Sequence, residues 1–376
     1  CPFPRGCNVL KLQFRAIHAS TMVHSLARHT HAIPRMQQVA AGSALRVALL
    51  FGIVVFLAVL IALRDYIGID TTFAAKIGGP IELVGGKPLH FTIAFLLSLS
   101  LHGVADALLR VVMGPRSKGA RWFALHSASN WITAALALHS IFYWLSDIPF
   151  AMDYFRSPPP PLFAGVHNAS TSTWRFDRTA LRIFFVALTA PNSDWVSINV
   201  ICVHVYHCLP GLFVLTSADI FHHITFVFPL LLSSMFVRCG PLRNCVSFFI
   251  SGLPGAMDYA LLACYKHSGQ RLLGGALPTP LITKLTEKRV NRVINAWLRA
   301  PGLLCVVFSN YLGTFTGRAP SQPPLINLMM GAFVIWNAIH FMDQAIANHA
   351  THAALAAYAA TAEMQRGTSE IKEKKG

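Results

Sequence analysis

The sequence predicts an all-α membrane protein, a polytopic membrane helical bundle with about eight transmembrane helices. Its 376 residues are 54% hydrophobic and only 12% charged, whereas an ordinary soluble domain is about 25% charged. The mean hydropathy is +0.51. Apolar stretches long enough to cross a hydrocarbon core of about 30 Å recur along the chain, and Lys and Arg concentrate between them. Such a chain has too few charges to cover a water-facing surface.

The positive net charge of the chain is explained by the Lys and Arg residues that lie between the apolar stretches. The net charge is +16, but the sequence contains no zinc finger and no Gly-rich phosphate loop, so we expect no nucleic-acid partner. If both termini lie inside, the inside loops and tails hold 19 Lys and Arg and the outside loops hold 10. The positive-inside rule therefore favours eight spans with both termini inside. This orientation places the glycosylation sequon at Asn168 outside.

The N-terminal 87 residues divide into a tail and a first span. Residues 1–46 are a basic N-terminal tail or targeting segment with six Lys or Arg and no acidic residue. This composition is typical of an organelle transit peptide and equally of a disordered tail on the inside face. Met22 is a candidate initiator methionine. Residues 47–87 contain the first predicted transmembrane helix, 47–63, and the loop that follows it.

Residues 88–345 are predicted to form the main bundle. Its spans are 88–113, 122–145, 195–215, 219–237, 246–265, 293–312 and 325–345. The motif Gly252-Leu-Pro254-Gly255 is expected to interrupt the sixth span of the chain and to present Asp258 to His222 or His223, with a simple proline kink as the alternative. Residues 346–376 are predicted as a C-terminal helix to about residue 364, followed by a charged, disordered tail.

Ionisable residues concentrate between residues 199 and 266, inside apolar sequence. His204 and His207 are three residues apart and share a helical face. Asp219 precedes His222 and His223 by three and four residues, so its carboxylate is expected to contact and orient either imidazole. Ionisable groups cost about 2.5–3.5 kcal/mol each at the centre of a span, which favours a functional cavity. The alternative is that they form interhelical hydrogen bonds.

The motif Asp219-x-x-His222-His223-x-Thr225, followed by Asp258 and later Lys266, resembles the TLC-domain family. That family includes translocating-chain-associated proteins and ceramide synthases, and the resemblance covers roughly residues 88–345. It implies a multi-span helical protein of the endoplasmic reticulum or another endomembrane. A mitochondrial or plastid membrane is the alternative that the basic N-terminal tail leaves open.

Ceramide synthases use paired histidines and later aspartates for acyl transfer from acyl-CoA to a sphingoid amine, and the resemblance implies the same chemistry for the matching residues of this chain. By resemblance, His222 or His223 would be the base or transient acyl carrier, and Asp219 and Asp258 would orient it. This sequence has one residue instead of two between the second histidine and Thr225. It also lacks the His-Asp and Ser-Asp cluster that precedes the lysine in the synthases. We therefore expect first a lipid-binding or lipid-regulating protein, then a lipid acyltransferase, and third an accessory subunit of an organelle membrane complex.

The expected site has a catalytic core and a wall. The core is His222, His223, Asp219 and Asp258, and the wall or substrate-binding residues are His204, His207, Tyr206, Thr225 and Tyr259. We expect no metal and no cofactor, apart from acyl-CoA as co-substrate if the protein is an enzyme. The partners are expected to be membrane lipids, with further protein partners in the membrane. Fatty-acid elongases and di-iron desaturases are disfavoured because their complete histidine boxes are missing.

Smaller features complete the predictions. His102, Asp106 and Arg110 repeat every four residues, which predicts an ion pair within one helical face, with a relay as the alternative. Trp297 and Arg299 are expected to form an interfacial anchor. The loop between Cys239 and Cys245 is expected to hold either a disulfide or two free thiols.

Overall fold

The computed structural model describes residues 88–114, 117–146, 162–168, 173–209, 212–213, 215–227, 240–267, 271–272, 275–276, 282–315 and 324–373. The described chain is mostly α-helical, as predicted. The predicted N-terminal tail and the first predicted span, 47–63, lie outside these residues.

The helices follow one another with short connections. In chain order they are α1 (Pro88–Met113), α2 (Lys118–Ser146), α3 (Arg178–Leu188), α4 (Trp195–Cys208), α5 (Ser217–His222), α6 (Gly240–Ser247), α7 (Leu253–His267), α8 (Lys284–Ile294), α9 (Ala300–Phe315) and α10 (Pro324–Glu373). Three π-helical turns in the described chain extend or join them: His223–Val227, Phe248–Gly252 and Asn295–Arg299. Two antiparallel hairpins pair β1 (His167–Asn168) with β2 (Thr173–Trp174) and β3 (Arg271–Leu272) with β4 (Gly275–Ala276).

Three helical segments of the described chain are long and apolar enough to cross a membrane. They are Phe91–Met113, Pro241–His267 and Lys284–Gly313, with mean hydropathies of 1.7, 1.4 and 1.2. The second contains α6, a π-helical turn and α7, and the third contains α8, a π-helical turn and most of α9. These segments agree with a membrane protein. The predicted number of eight spans is not reached among the described residues.

Helix α1 turns its apolar side outward. Leu101, Val104 and Leu108 are 59%, 57% and 61% exposed, whereas His102 and Asp106 are only 5% and 4% exposed. A helix of a soluble protein has the opposite arrangement, with its apolar stripe facing the core. The exposed leucines suit a hydrocarbon surrounding, and the polar groups need partners inside the bundle.

Helix α2 is the centre of the bundle, since α1, α4, α6 and α7 all pack against it. Its buried face carries small and hydroxyl side chains that let neighbouring backbones approach closely. The Ser127 hydroxyl donates to the Ala256 carbonyl at 2.8 Å, and the Ser140 hydroxyl donates to the Pro191 carbonyl at 2.6 Å. These polar residues also lower the hydropathy of α2, which explains why the predicted span 122–145 is helical but is not among the three apolar segments.

Asp106 forms its ion pair with a different arginine from the one predicted. The Arg121 Nε–H donates to Asp106 Oδ1 at 2.7 Å, and the two side chains are 1% and 5% exposed. Arg110 is exposed instead. The predicted spans 88–113 and 122–145 leave Arg121 in the loop between them, but α2 begins at Lys118 and carries Arg121 into the bundle. The Tyr206 hydroxyl on α4 also donates to Asp106, at 3.2 Å, so this group joins α1, α2 and α4.

Helix α4 is shorter than the predicted span 195–215. It ends at Cys208 after 14 residues, and Leu209 is extended, with φ −58° and ψ 135°. The residue before a proline is driven out of the α region, and Pro210 follows Leu209. At 1.5 Å per residue, α4 is about 21 Å long and does not cross a bilayer core.

Helix α6 replaces the loop that was expected between Cys239 and Cys245. Cys245 is a buried free thiol whose Sγ donates to the Ser140 carbonyl at 3.4 Å, so it forms no disulfide. Arg243, predicted as a loop cation, lies in α6 and forms a salt bridge with Asp194 at 2.5 Å.

Two further predictions about helix continuity are wrong. The sixth span is not broken at Gly252-Leu-Pro254-Gly255. The turn Phe248–Gly252 widens to π geometry and α7 continues through Pro254. A π-helical turn accommodates a proline, which has no N–H for the i−4 carbonyl. The charged tail, predicted to be disordered, is helical as far as Glu373 in α10.

Helix α3 lies outside the predicted spans and is amphipathic. The Asp177 carboxylate caps its N-terminus by accepting from the Ala180 N–H at 2.9 Å. This hydrogen bond and the Arg175 side chain lower the pKa of Asp177. Arg175 and Asp177 form an exposed ion pair at 2.6 Å. Phe185 and Val186 of α3 are 59% and 66% exposed, which suits an interfacial position.

Candidate functional site

A cavity of about 610 Å³ lies inside the helical bundle. Residues of α2 and of α4 to α10 line it, and all three π-helical turns of the described chain contribute side chains. Phe226 comes from the first turn, Ile250 from the second and Arg299 from the third. π-helical turns occur frequently at functional sites, because they redirect side chains within an otherwise regular helix.

The cavity changes from apolar to polar along α10. Its lining residues on that helix include Met330 and Val334 at one end, and Asn337, Gln344 and Asn348 towards the other. From Met330 to Asn348 the helix rises about 27 Å. Lining residues outside α10 are of both kinds: Asn310 accompanies Val306 and Val307 on α9, and Ser251 follows Ile250 in the second π-helical turn. The α10 side of the cavity is therefore long and amphipathic.

Arg299 is a buried cation of the cavity wall and was not predicted as a site residue. Its Nη2 donates to Asn337 Oδ1 at 3.2 Å, and its guanidinium stacks over the Phe341 ring at 4.4 Å. Its Nε is buried without a hydrogen-bond partner. Trp297 and Arg299 were both predicted to lie at the interface, but only Trp297 is on the outside, where it is 80% exposed. Arg299 instead points inward.

Asp258, Tyr259 and His222 line the same cavity. Asp258 Oδ1 and His222 Nδ1 are buried, and neither has a hydrogen-bond partner. The predicted contact between Asp258 and a histidine is therefore not formed among the described residues, although both groups face one space. Because the helix continues through Pro254, no local break carries Asp258 towards the imidazoles.

Asp219 does not orient the histidines through its carboxylate. Its Oδ2 accepts from the Thr216 N–H and hydroxyl, both at 2.7 Å, and the Thr216 hydroxyl accepts from the Asp219 N–H. This is a capping box at the start of α5. The backbone carbonyl of Asp219 instead accepts from His223 Nδ1–H at 2.5 Å. The predicted pairing exists, but through the main chain.

Four imidazoles form what we call the histidine cluster: His126, His204, His207 and His223. His207 Nε2 and His223 Nε2 are 2.6 Å apart, and His204 Nδ1 and His223 Nε2 are 3.3 Å apart. His126 Nε2 lies 3.1 Å from His207 Nδ1 and also accepts from the Trp122 indole N–H at 3.1 Å. His207 and His223 are 1% and 4% exposed. The cluster therefore lies within the bundle, beside the cavity.

The structure separates the predicted His222–His223 pair. His222 lines the cavity, whereas His223 belongs to the histidine cluster. Adjacent residues of a helix point about 100° apart, so His222 faces the cavity while His223 faces the other histidines.

The predicted wall residues also divide. His204 and Tyr259 line the cavity. His207 faces the histidine cluster, and Tyr206 points the other way, towards Asp106. Thr225 does not line the cavity and is half-buried. Tyr206 and His207 contact different helices because adjacent residues of α4 point about 100° apart.

Two site residues were missed from the sequence. His126 lies on α2, four residues before Asn130, and both line the cavity. Their i, i+4 spacing places them on one helical face, which is the signal that was available. Arg299 lies within the predicted span 293–312, and a cation inside a span is itself a signal of function.

No protein-family model, no curated protein and no solved structure matches this chain.

Proposed function

We propose that this chain is an integral membrane protein of the TLC type that binds a membrane lipid in its internal cavity. The observation that carries the proposal is the change from an apolar to a polar lining over about 27 Å of α10. A lipid has the same division between acyl chain and headgroup. The proposal includes an eight-span topology, which the apolar stretches and the distribution of Lys and Arg favour, and an endomembrane location, which the family resemblance implies.

The headgroup would lie near Arg299. This guanidinium forms no salt bridge with a described carboxylate, and its Nε has no hydrogen-bond partner. A buried arginine with unused donors suits a phosphate or carboxylate oxygen. Asp258 Oδ1, also without a partner, would accept from a donor group of the same headgroup. The acyl chain would lie between Val306 and Val334.

A photoactivatable phospholipid in nanodiscs tests this assignment. We expect labelling of cavity residues around Val334 and Phe341, in addition to the outer lipid-facing surface. The Arg299→Gln variant should lower cavity labelling about tenfold, since a hydrogen bond to a charged group contributes about 1.5–3 kcal/mol. Arg289→Gln is the matched control, because Arg289 is exposed on α8. Labelling confined to outward residues such as Leu101 and Val104 would reject the proposal.

Acyl transfer is the second candidate, favoured by the unpartnered His222 Nδ1 on the cavity wall. His222 would be the base, with acyl-CoA as co-substrate, and Asp258 would approach it when substrate binds. His223 has no such role here because it lies in the histidine cluster. Lipidomics of cells carrying His222→Ala distinguishes the candidates: a specific lipid is lost if the protein is a transferase. An unchanged lipid profile with a correctly folded variant excludes catalysis and leaves lipid binding.

A further inference from the structure

We propose that His204, His207 and His223 bind one first-row transition-metal ion. One ligand nitrogen from each lies within 4.8 Å of the others. Two come from α4 at an i, i+3 spacing, which places both imidazoles on one helical face. The third stands at the first position of the π-helical turn that follows α5. The site therefore joins two separate helices inside the bundle.

Backbone carbonyls determine which nitrogens of His207 and His223 carry protons. His207 Nδ1 lies 2.7 Å from the Val203 carbonyl, and His223 Nδ1 lies 2.5 Å from the Asp219 carbonyl. A carbonyl oxygen only accepts, so both Nδ1 atoms donate. A neutral imidazole has one N–H, and both Nε2 atoms therefore carry lone pairs. These two lone pairs face each other across 2.6 Å.

Neutral tautomers do not relieve this contact. If His207 moved its proton to Nε2, its Nδ1 lone pair would face the Val203 carbonyl oxygen. If His223 did the same, its Nδ1 lone pair would face the Asp219 carbonyl oxygen. A cation between the rings removes the repulsion. A shared proton would join only two of the ring nitrogens, whereas the group brings three of them together. A metal ion instead forms a coordinate bond with each lone pair.

The surroundings match those of metal-binding histidines. Such histidines donate their second ring N–H to a carbonyl or carboxylate, which orients the ring. His207 and His223 both do this. Ligands about 2.0–2.1 Å from a tetrahedral zinc ion are separated by about 3.3 Å. The His204 to His223 separation is 3.3 Å, while His207 and His223 would move apart by about 0.7 Å on binding.

Three ligands leave a fourth position, and His204 places it next to the cavity. His204 is both a member of the metal group and a cavity residue. His126 is not a fourth ligand, because its Nε2 accepts from the Trp122 indole N–H. Imidazole ligands suit zinc, copper, iron and nickel. The site thus has the composition of three-histidine centres that keep an open position for water or another ligand.

Metal analysis of the full-length protein in detergent tests the proposal. We expect about one first-row metal ion per chain by elemental mass spectrometry, or one Zn²⁺ bound per chain after chelator treatment and titration. Zn²⁺ should raise the thermal midpoint of the chelated protein, because a ligand that binds only the folded state stabilises it. Co²⁺ should give the visible absorption of a tetrahedral site.

Histidine variants identify the ligands. His207→Ala and His223→Ala should each lower Zn²⁺ affinity by about 100-fold or more, which exceeds the 10–100-fold effect of altering a ligand's supporting partner. His139→Ala is the matched control, since His139 is an exposed histidine of α2 outside the histidine cluster, and this variant should bind Zn²⁺ as the unaltered protein does. If the unaltered, folded protein binds no metal on purification or titration, the proposal is wrong. That measurement does not depend on whether the variants fold. Lipid labelling is read separately, so the two proposals fail independently.

Discussion

The substitution Asp106→Asn should destabilise the bundle by about 3–5 kcal/mol, because it leaves the buried Arg121 cation without its carboxylate. The two side chains are 1% and 5% exposed and their closest atoms are 2.7 Å apart, so solvent does not compensate the loss. The Phe213 ring lies 5.5 Å from the guanidinium and offers at most about 2 kcal/mol. Asparagine has nearly the same volume, so a change in packing does not explain the effect.

The ion pair itself should contribute much less than this loss suggests. Both Nη atoms of Arg121 are buried without partners, so part of its desolvation is uncompensated. Replacing the group with Asp106→Leu, Arg121→Met and Tyr206→Phe, so that the Tyr206 hydroxyl is not left without its acceptor, should therefore recover stability to within about 1 kcal/mol of the unaltered protein. The measurement is the free energy of unfolding in detergent micelles, followed by tryptophan fluorescence. Arg175→Gln, which alters an exposed ion pair, should give no measurable change.

Two results would refute this reasoning. One is a loss of less than about 1 kcal/mol for Asp106→Asn, which would mean that water reaches Arg121. The other is a triple variant that is at least as unstable as Asp106→Asn alone, which would mean that the charges are required for folding.

Two other predictions concern packing and orientation. Gly302→Ala should destabilise the protein by about 1–3 kcal/mol, because the new Cβ would overlap the buried ring of Phe249. Gly119→Ala, on an exposed helical site with no atom within 4 Å of the new Cβ, should be neutral or stabilising by about 0.5 kcal/mol in the same unfolding assay. Asn168 is exposed beside β2, and with both termini inside it should be glycosylated when the chain is made in a eukaryotic secretory membrane. A glycosidase should then shift the mass of the unaltered chain but not of Asn168→Gln, and a chain without glycan would contradict this orientation.

The sequence was sufficient to predict the helical class and most helix positions, because hydropathy decides both. The predicted span 88–113 coincides with α1, and 293–312 falls within α8, the following π-helical turn and α9. Side-chain partners were harder to predict, because they depend on which helices become neighbours. Asp106 lies four residues from Arg110 but pairs with Arg121 of α2. His126 joins His207 from 81 residues away, and no local pattern contains that contact.

The site was partly predicted, and a π-helical turn explains the error at Arg299. A helical-wheel argument assumes 3.6 residues per turn, and one extra residue in a π-helical turn rotates everything after it by about 100°. The turn Asn295–Arg299 lies between α8 and α9, and it exposes Trp297 while Arg299 enters the cavity. The three turns adjoin one cavity. Since each widens a helix and gives up regular backbone hydrogen bonding, their common location favours a single ligand-binding space over three unrelated packing adjustments.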